Sequence, residues 1–392
     1  PSGIRRNSRR CGIMGISPGC WINMLLEDAF HEKSVLVTGH TGFKGSWLCL
    51  WLSKLGANIH GFSLPPDTDP NHYTEARIHD MLISECFGNI CDRNAFTKYI
   101  REVRPECIFH LAAQPIVRKS YQEPIETFET NVMGSIFLMD ALRTFAHPCA
   151  VVMITSDKCY LNTNQIWGYR ECDPLGGHDP YGASKAAAEI AIASYRDSYF
   201  PPEKIWEHKI HLASVRAGNV IGGGDWAEDR IIPDAVRAVT TGTPLVLRNP
   251  QAVRPWQHVL EPLSGYLLLA AKMMCGYHCG GTSLESAWNF GPISAGTTTV
   301  LEIIKSFFGV WGSGEISYDP TPVQVPEAAL LRLSSDKAMN LLGWKPIWSI
   351  SETIEKTASW YIDYYSHSED ARERSLSDIM AYMQEMESQY AV

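Results

Sequence analysis

Residues 34–56, "SVLVTGHTGFKGSWLCLWLSKLG", constrain the fold more than any other stretch of the chain. A short β-branched run ends at Gly39. Glycines follow at 42 and 45, and apolar residues at helical spacing then run to Gly56. A strand that enters a helix through a tight glycine turn fits this order. Glycines at those places let the backbone turn sharply and approach a pyrophosphate, whose charge is favoured at a helix N-terminus. In this context the loop reads as a dinucleotide site rather than an ordinary turn.

The alternation continues. "NIHGFSL", "ECFGNI", "CIFHLAA", "CAVVMITS" and "HLASVRAGN" read as strands, and "DRNAFTKYIREV", 125–145 and 181–200 as helices. Asp92 stands at the N-cap position of the first of these helices. Strands that are apolar throughout and separated by helices imply an α/β fold, a doubly wound parallel sheet of Rossmann type covered on both faces. Past residue 219 the regularity loosens into "GNVIGGGDWAEDRIIP" and "RNPQAVRPWQH". The expected organisation is an extension over 1–33, a dinucleotide-binding domain over 34–219 with later excursions returning to it, a smaller substrate lobe over 220–368, and a polar terminal helix and tail over 369–392.

Bulk properties remove several classes of function. A net charge of −9 leaves no general basic surface, so duplex nucleic acid is not an expected partner. No apolar run approaches the about 18–20 residues of a membrane span, and "GYLLLAAKMM" reads as a core helix. The 11 cysteines are odd in number and lack framework spacing, which suggests free thiols in a reducing, cytoplasmic compartment. "CGYHC", Cys275 to Cys279 with His278, reads as a loop, and no metal is expected. Residues 1–26 carry Arg5, Arg6, Arg9 and Arg10 without a long apolar core. They are expected to be disordered and to take no part in chemistry.

Two further stretches carry reactive side chains. "YGASK" sets Tyr181 and Lys185 four apart on one helical face. A phenol is a poor base near neutral pH unless its anion is stabilised, and a cation one turn away lowers its pKa. "TSDK" places Ser156, Asp157 and Lys158 just past an apolar strand. The second strand ends in "GFSLPPDTD", where Ser63 comes first and an acid only at Asp67, so the spacing leaves NAD and NADP both open.

The glycine loop, "HLAAQ" after the fourth strand, a serine after the fifth and then Y-x-x-x-K together resemble the extended short-chain dehydrogenase/reductase family of nucleotide-sugar enzymes. Longer blocks, among them "VTGHTGFKGSWL", "AAQPIVRKSY", "ETNVMGS", "DPYGASK", "RAGNVIGGGDWAEDR" and "RPWQHVLEPLSGY", are similar to its 4,6-dehydratases that act on CDP-glucose. The similarity runs from about Lys33 to Tyr365. It implies a Rossmann-type domain, a sugar-nucleotide lobe, bound NAD and a homodimer paired through the helices at 125–145 and 181–200. The implied reaction oxidises carbon 4 of the hexose, eliminates water across carbons 5 and 6, and returns the hydride to carbon 6.

The roles follow from the resemblance. Tyr181, tuned by Lys185, would take the 4-hydroxyl proton, with Ser156 bonded to the same oxygen. Asp157 would protonate the leaving 6-hydroxyl, which requires a pKa raised above the ~3.9 of a free aspartate. Lys158 would be the base at carbon 5, where dTDP-glucose relatives carry glutamate. Gly39, His40, Gly42, Phe43, Lys44, Gly45, Ser63, Asn89, Ile90, Ala112, Ala113 and Asn131 would line the cofactor. Gln114, Arg216, Asn219, Arg230, Arg254, Trp256 and His258 would hold the substrate. Rival readings on this scaffold are an epimerase, a dehydratase of another nucleotide sugar, and a non-catalytic NAD-sensing protein.

Overall fold

Seven parallel strands form the centre of the molecule: β1 (Ser34–Thr38), β2 (Asn58–Ser63), β3 (Leu82–Phe87), β4 (Cys107–His110), β5 (Cys149–Ile154), β6 (Ile210–Ala217) and the strand Ala287–Phe290. Their spatial order is β3-β2-β1-β4-β5-β6 and then Ala287–Phe290. Every residue of β4 and β5 is buried, as expected of a parallel sheet covered on both faces. The direction in which successive strands are added to the sheet reverses between β1 and β4, and ligands of open α/β sheets bind in the crevice above that point. The structure, a computed structural model, describes residues 21–277, 283–292, 298–318, 330–368 and 370–390.

One face is covered by α1 (Trp21–Phe30), α2 (Phe43–Lys54) and the helices Leu260–Met274 and Ala371–Tyr390, which share a core containing Trp47, Trp51 and Leu267. The other carries Arg93–Val103, Ser135–Leu142 and Pro180–Ser198, around Phe96, Leu138 and Ile192. Beyond residue 219 the chain returns to the first face with Leu260–Met274 and to the sheet with Ala287–Phe290. The smaller lobe includes the helices Ile231–Thr241 and Val300–Trp311 and a two-stranded sheet of Leu245–Leu247 and Ile316–Tyr318.

The chain differs from the sequence expectation in four places. The third strand begins earlier than "ECFGNI" and stops at Phe87, because the Asn89 side chain accepts the Cys91 N–H and turns the chain. The helix expected over 125–145 is broken by a π-turn at Glu129–Gly134 and ends at Leu142. Residues 21–30 are ordered helix, not part of a disordered extension. Ile22, Leu25, Leu26 and Ala29 recur at helical spacing and are buried, and Asn23 Nδ2 donates to Met383 O (3.1 Å) and Glu387 Oε1 (3.0 Å). The terminal helix is no detached polar tail either, since it buries Ile379, Tyr382 and Met386. Residues 1–20, with the four arginines, and His278 and Cys279 of the "CGYHC" group lie outside the described residues.

Candidate active site

At the end of β5 the chain stays extended through Ser156 and then tightens into a 3₁₀ turn, Asp157–Cys159. Ser156 Oγ accepts the Lys158 N–H at 3.3 Å and donates to Asp157 Oδ1 at 3.0 Å. Asp157 is 1% exposed, and its Oδ2 has no partner among the described residues. A buried carboxylate oxygen left unpaired is costly. Lys158 Nζ lies 3.8 Å from Asp157 Oδ1 and remains partly open to solvent.

The helix Pro180–Ser198 brings the second group. Asp179 caps it by accepting the Gly182 N–H (2.8 Å), Pro180 occupies its first turn, and the Tyr181 N–H donates to Ser120 Oγ (3.1 Å). Burial pushes the Tyr181 phenol up to about 12. The Ser156 hydroxyl and the Arg230 charge act against it, while Asp157 adds to the rise. Lys185 is buried one turn on and is lowered to about 8 by desolvation. Ser156 and Arg230 are the groups seen to favour the phenolate here. Arg230 is paired with Asp225 at 2.8 Å, and its charge acts on the Tyr181 phenol.

Lys44, in the glycine loop, is also lowered to about 8, first by burial and then by Arg230 and Lys185. Its Nζ stands 5.8 Å from the centre of the Tyr266 ring. Tyr266 is buried, its hydroxyl has no partner among the described residues, and Asp157 and Tyr181 raise its pKa further beyond the effect of burial. Asp157, Tyr181, Lys185, Lys44, Arg230 and Tyr266 therefore share one electrostatic field. Tyr266 was not singled out from the sequence, where it closes the block "RPWQHVLEPLSGY" as one more apolar-facing helix residue.

The glycine loop fits a dinucleotide. Gly39 has φ +73°, and a Cβ there would stand 2.8 Å from Ala112 N. A Cβ on Gly45 would lie 2.1 Å from Gly39 O. Gly42 is the N-cap of α2, and no side chain caps that end, so the helix terminus is open to an anion. Phe43 and Lys44 open the helix, Ala112 borders the loop at Gly39 with Ala113 next along the chain, and Ile90 is buried beneath Gly134. Ser63 shares a hydrogen bond with Thr41 Oγ1 (2.8 Å) at the end of β2. Asn89 is exposed, with Oδ1 engaged by Cys91.

Several expected ligand contacts are committed elsewhere. His40 is fully buried, bonded through Nε2 to Glu85 Oε1 (2.6 Å), and lowered in pKa by desolvation; it braces β3 rather than offering a cation to phosphate. Asn131 spends its amide on Gln114 N (2.8 Å), Gln114 O (3.1 Å) and Ser184 Oγ (2.9 Å). It ties the loop after β4 to the Tyr181 helix. Gln114 in turn donates to Thr127 Oγ1 (2.9 Å) and accepts from Ile116 N (2.6 Å), so its side chain shapes its own loop.

Arg216 does not reach the cleft. It is 3% exposed, pairs with Glu189 Oε2 at 2.7 Å and donates to Tyr160 Oη at 2.7 Å. Glu189 sits one turn beyond Lys185 and also accepts from Thr155 and Ser214 (2.8 Å), so a buried carboxylate is matched by a guanidinium. His258 is likewise in the core, packed against Trp47 and Trp348, with burial lowering its pKa to about 3. Trp256 is buried with its Nε1 unpartnered among the described residues. Asn219 has a buried Oδ1 in the same condition, and Arg254 donates to Val253 O (3.0 Å) in the loop facing it.

The family model for GDP-mannose 4,6 dehydratase matches residues 36–357. The chain is 43% identical over 361 residues to the CDP-glucose 4,6-dehydratase of Salmonella typhimurium, covering 91% of this chain and 99% of that protein. Among solved structures, the dTDP-glucose 4,6-dehydratase of Bacillus anthracis in complex with NAD superposes with a TM-score of 0.69 at 21% identity, over 85% of this chain and 97% of that one. The epimerase Mth375 of Methanothermobacter thermautotrophicus gives 0.73 at 21% identity, over 89% and 98%. A matched model that spans most of the chain, and an identity of this size over nearly all of it, show that the chain belongs to the GDP-mannose 4,6-dehydratase family.

Proposed function

We propose that the protein converts CDP-glucose to CDP-4-keto-6-deoxyglucose and water with NAD as a returned cofactor, at the start of a deoxysugar route. The observation that carries this reading is Asp157: a buried carboxylate with one unpaired oxygen, held in the same turn as Ser156 and in the field of Tyr181. An epimerase has no water to expel and no need of an acid there. The 43% identity to a CDP-glucose 4,6-dehydratase supports the same reaction and the cytidine base.

Gly39, Gly42, Phe43, Lys44 and Gly45 would hold the pyrophosphate, Ile90, Ala112 and Ala113 would border the rings, and Tyr181 and Lys185 would reach the nicotinamide ribose. When bound, the nicotinamide supplies reversible oxidation at carbon 4 and returns the reducing equivalent at carbon 6. The 4-ketone makes the proton on carbon 5 acidic by delocalising the charge left behind.

Ser156 donates to the 4-oxygen while Tyr181 takes its proton. For that the phenol must first lose its own proton, and Ser156 and Arg230 are the groups that favour its anion. Lys158, partly open at the rim, removes the carbon 5 proton. Asp157 gives a proton to the departing 6-hydroxyl. Across the cycle the 4-hydroxyl proton leaves with that hydroxyl as water, and carbon 5 loses a proton and regains one. Asn219, Arg230 and Arg254 hold the diphosphate, as guanidinium and amide donors suit phosphate oxygens.

The protein acts as a homodimer in this reading. Ile125 and Ile190 are 74% and 60% exposed on adjacent helices, with Phe128 and Met133 beside them, an apolar face that a second copy would cover. Among the described residues no helix is long and apolar enough to cross a membrane, and the eight described cysteines are free, in keeping with the cytoplasm.

Incubating the purified protein with CDP-, UDP-, dTDP- and GDP-glucose tests the proposal through the alkaline absorbance of a 4-keto-6-deoxy product. Turnover of CDP-glucose is expected. Turnover of none, or of another sugar nucleotide in preference, would overturn it.

A further inference from the structure

One buried ion pair holds the turn that carries Asp157 and Lys158 at both of its ends. Ahead of the turn, Thr155 Oγ1 donates to Glu189 Oε1 at 2.5 Å. Behind it, the Tyr160 N–H donates to Asp157 O (3.3 Å) and closes the turn, and Tyr160 Oη accepts from Arg216 Nη1 at 2.7 Å. Arg216 Nη2 in turn donates to Glu189 Oε2 at 2.7 Å. Residues 156–159 therefore lie inside a closed circuit that runs from Thr155 through Glu189 and Arg216 to Tyr160.

The same pair reaches the helix of the reacting phenol. Tyr181, Lys185 and Glu189 follow at four-residue steps along one face of Pro180–Ser198. Arg216 stands on β6, which pairs with β5 just before the turn begins. The circuit is closed to water: Glu189 and Arg216 are each 3% exposed and Tyr160 is 1% exposed. Tyr160 is fixed on two further sides, by the Tyr169 ring stacked on it at 5.2 Å and by Asn289 Oδ1, which accepts its hydroxyl at 2.8 Å.

Stability alone gives little reason for such a pair. Removing two charges from water offsets most of their attraction, and apolar side chains of similar volume often serve a core equally well. Apolar side chains cannot supply direction. A carboxylate accepts on two oxygens and a guanidinium donates through a rigid fork, so one pair can fix both ends of a turn at once. The chemistry needs that precision, because a misplacement of about 1 Å in a reacting group can cost about 100-fold in rate.

We propose that Glu189 and Arg216 are positioning residues of the reaction, which hold the Asp157–Lys158 turn in register with Tyr181 through Thr155 and Tyr160. The effect on turnover rests on the dehydratase reading of the site, whereas the bracket around the turn can be tested without a substrate.

Thr155→Val and Tyr160→Phe each remove one bond of the bracket and leave the ion pair in place. Ser214→Ala removes another bond to Glu189, from Ser214 Oγ to Oε2 (2.8 Å), that does not touch the turn. Amide hydrogen exchange on the purified protein should quicken about tenfold at Cys159 and Tyr160 in the first two variants and stay parental in the third, while all three melt within a few degrees of the parent. With CDP-glucose, kcat should fall about tenfold in Thr155→Val and in Tyr160→Phe and stay parental in Ser214→Ala, with CDP affinity by calorimetry unchanged throughout. Parental exchange at the turn in both bracket variants would overturn the inference whatever the substrate proves to be. So would parental kcat in both, or an equal loss of kcat in Ser214→Ala. A parent protein that turns over another sugar nucleotide, or none, would overturn the function proposed above instead, and the exchange rates would still decide for or against the bracket.

Discussion

Gly182, next to the candidate base Tyr181, lies against the backbone carbonyl of Lys158, so closely that a Cβ at 182 would stand 2.9 Å from that oxygen. Gly177 presses from the other side, where a Cβ would lie 2.1 Å from the Gly182 carbonyl carbon. These glycines let the Pro180–Ser198 helix approach the turn that carries Asp157 and Lys158, and so bring the two halves of the site together. Gly182→Val should push them apart by about an ångström. A displacement of that size costs about 100-fold in turnover, while CDP affinity stays near parental. Steady-state kinetics with calorimetry check this, and parental kcat in the valine variant would show that the close approach is not required.

Asp157→Asn should separate oxidation from water loss. The amide keeps the shape and the hydrogen bond from Ser156 but has no proton to give a leaving hydroxyl. On mixing with CDP-glucose, the variant should build up the near-ultraviolet absorbance of reduced nicotinamide and release no 4-keto-6-deoxy product. Product formation at the parental rate would remove Asp157 from the acid role.

Lys158→Met tests the carbon 5 base. Its amino group is within 3.8 Å of Asp157 and open at the rim, where in its neutral form it could take the carbon 5 proton and pass it to water. In deuterated water the parent should place deuterium at carbon 5 of the product, and the variant should lose that exchange along with turnover. Deuterium entering at an unchanged rate would assign the proton to another group and leave Lys158 as a charge near the developing enolate.

Arg216→Ala should act on folding rather than on substrate. Removing one member of a buried pair leaves Glu189 charged and unmatched, a loss of about 3–5 kcal/mol. Denaturant unfolding should report that loss, with the CDP affinity of the folded fraction near parental. A variant of parental stability with weakened CDP binding would restore Arg216 to the diphosphate.

These outcomes bear on what the sequence could and could not say. The glycine loop and "YGASK" were legible because their chemistry is local: turn geometry in one, a single helical face in the other. Arg216 was misplaced because an arginine after a strand resembles a ligand, although the strand itself held a signal. Ser214 and Arg216 share one face of the strand with Ile210 and Leu212, and both meet Glu189, four residues past Lys185. His258 gave no such warning, since its burial depends on Trp47 and Trp348, far away along the chain. The α1 helix was legible in Ile22, Leu25, Leu26 and Ala29, but the arginines before it drew the boundary too late.

At alkaline pH two sets of buried groups act in opposite directions on stability. Lys44 and Lys185 are lowered to about 8, so the folded protein holds fewer of their protons than the unfolded chain between about 8 and the usual lysine range. Their burial penalty is therefore relieved, and stability gained, as pH rises through that window. Cys49, Cys86, Cys91, Cys107, Cys149 and Cys159 are all raised above the ordinary thiol value of 9.0, chiefly by burial. Unfolding lets these thiols ionise, so the stability they contribute is full below pH 9 and is lost progressively above it. Burial lowers Lys337 too, but six thiols outnumber three lysines, and the buried tyrosines, Tyr181 among them, add the thiols' sign above pH 10. The denaturation midpoint under reducing conditions should accordingly hold or rise slightly from pH 7.5 to 8.5 and then fall steeply by pH 10. Replacing Cys107 and Cys149 with alanine should flatten the fall. A midpoint that climbs steadily to pH 10 would mean the lysines dominate and the thiols already ionise in the folded protein.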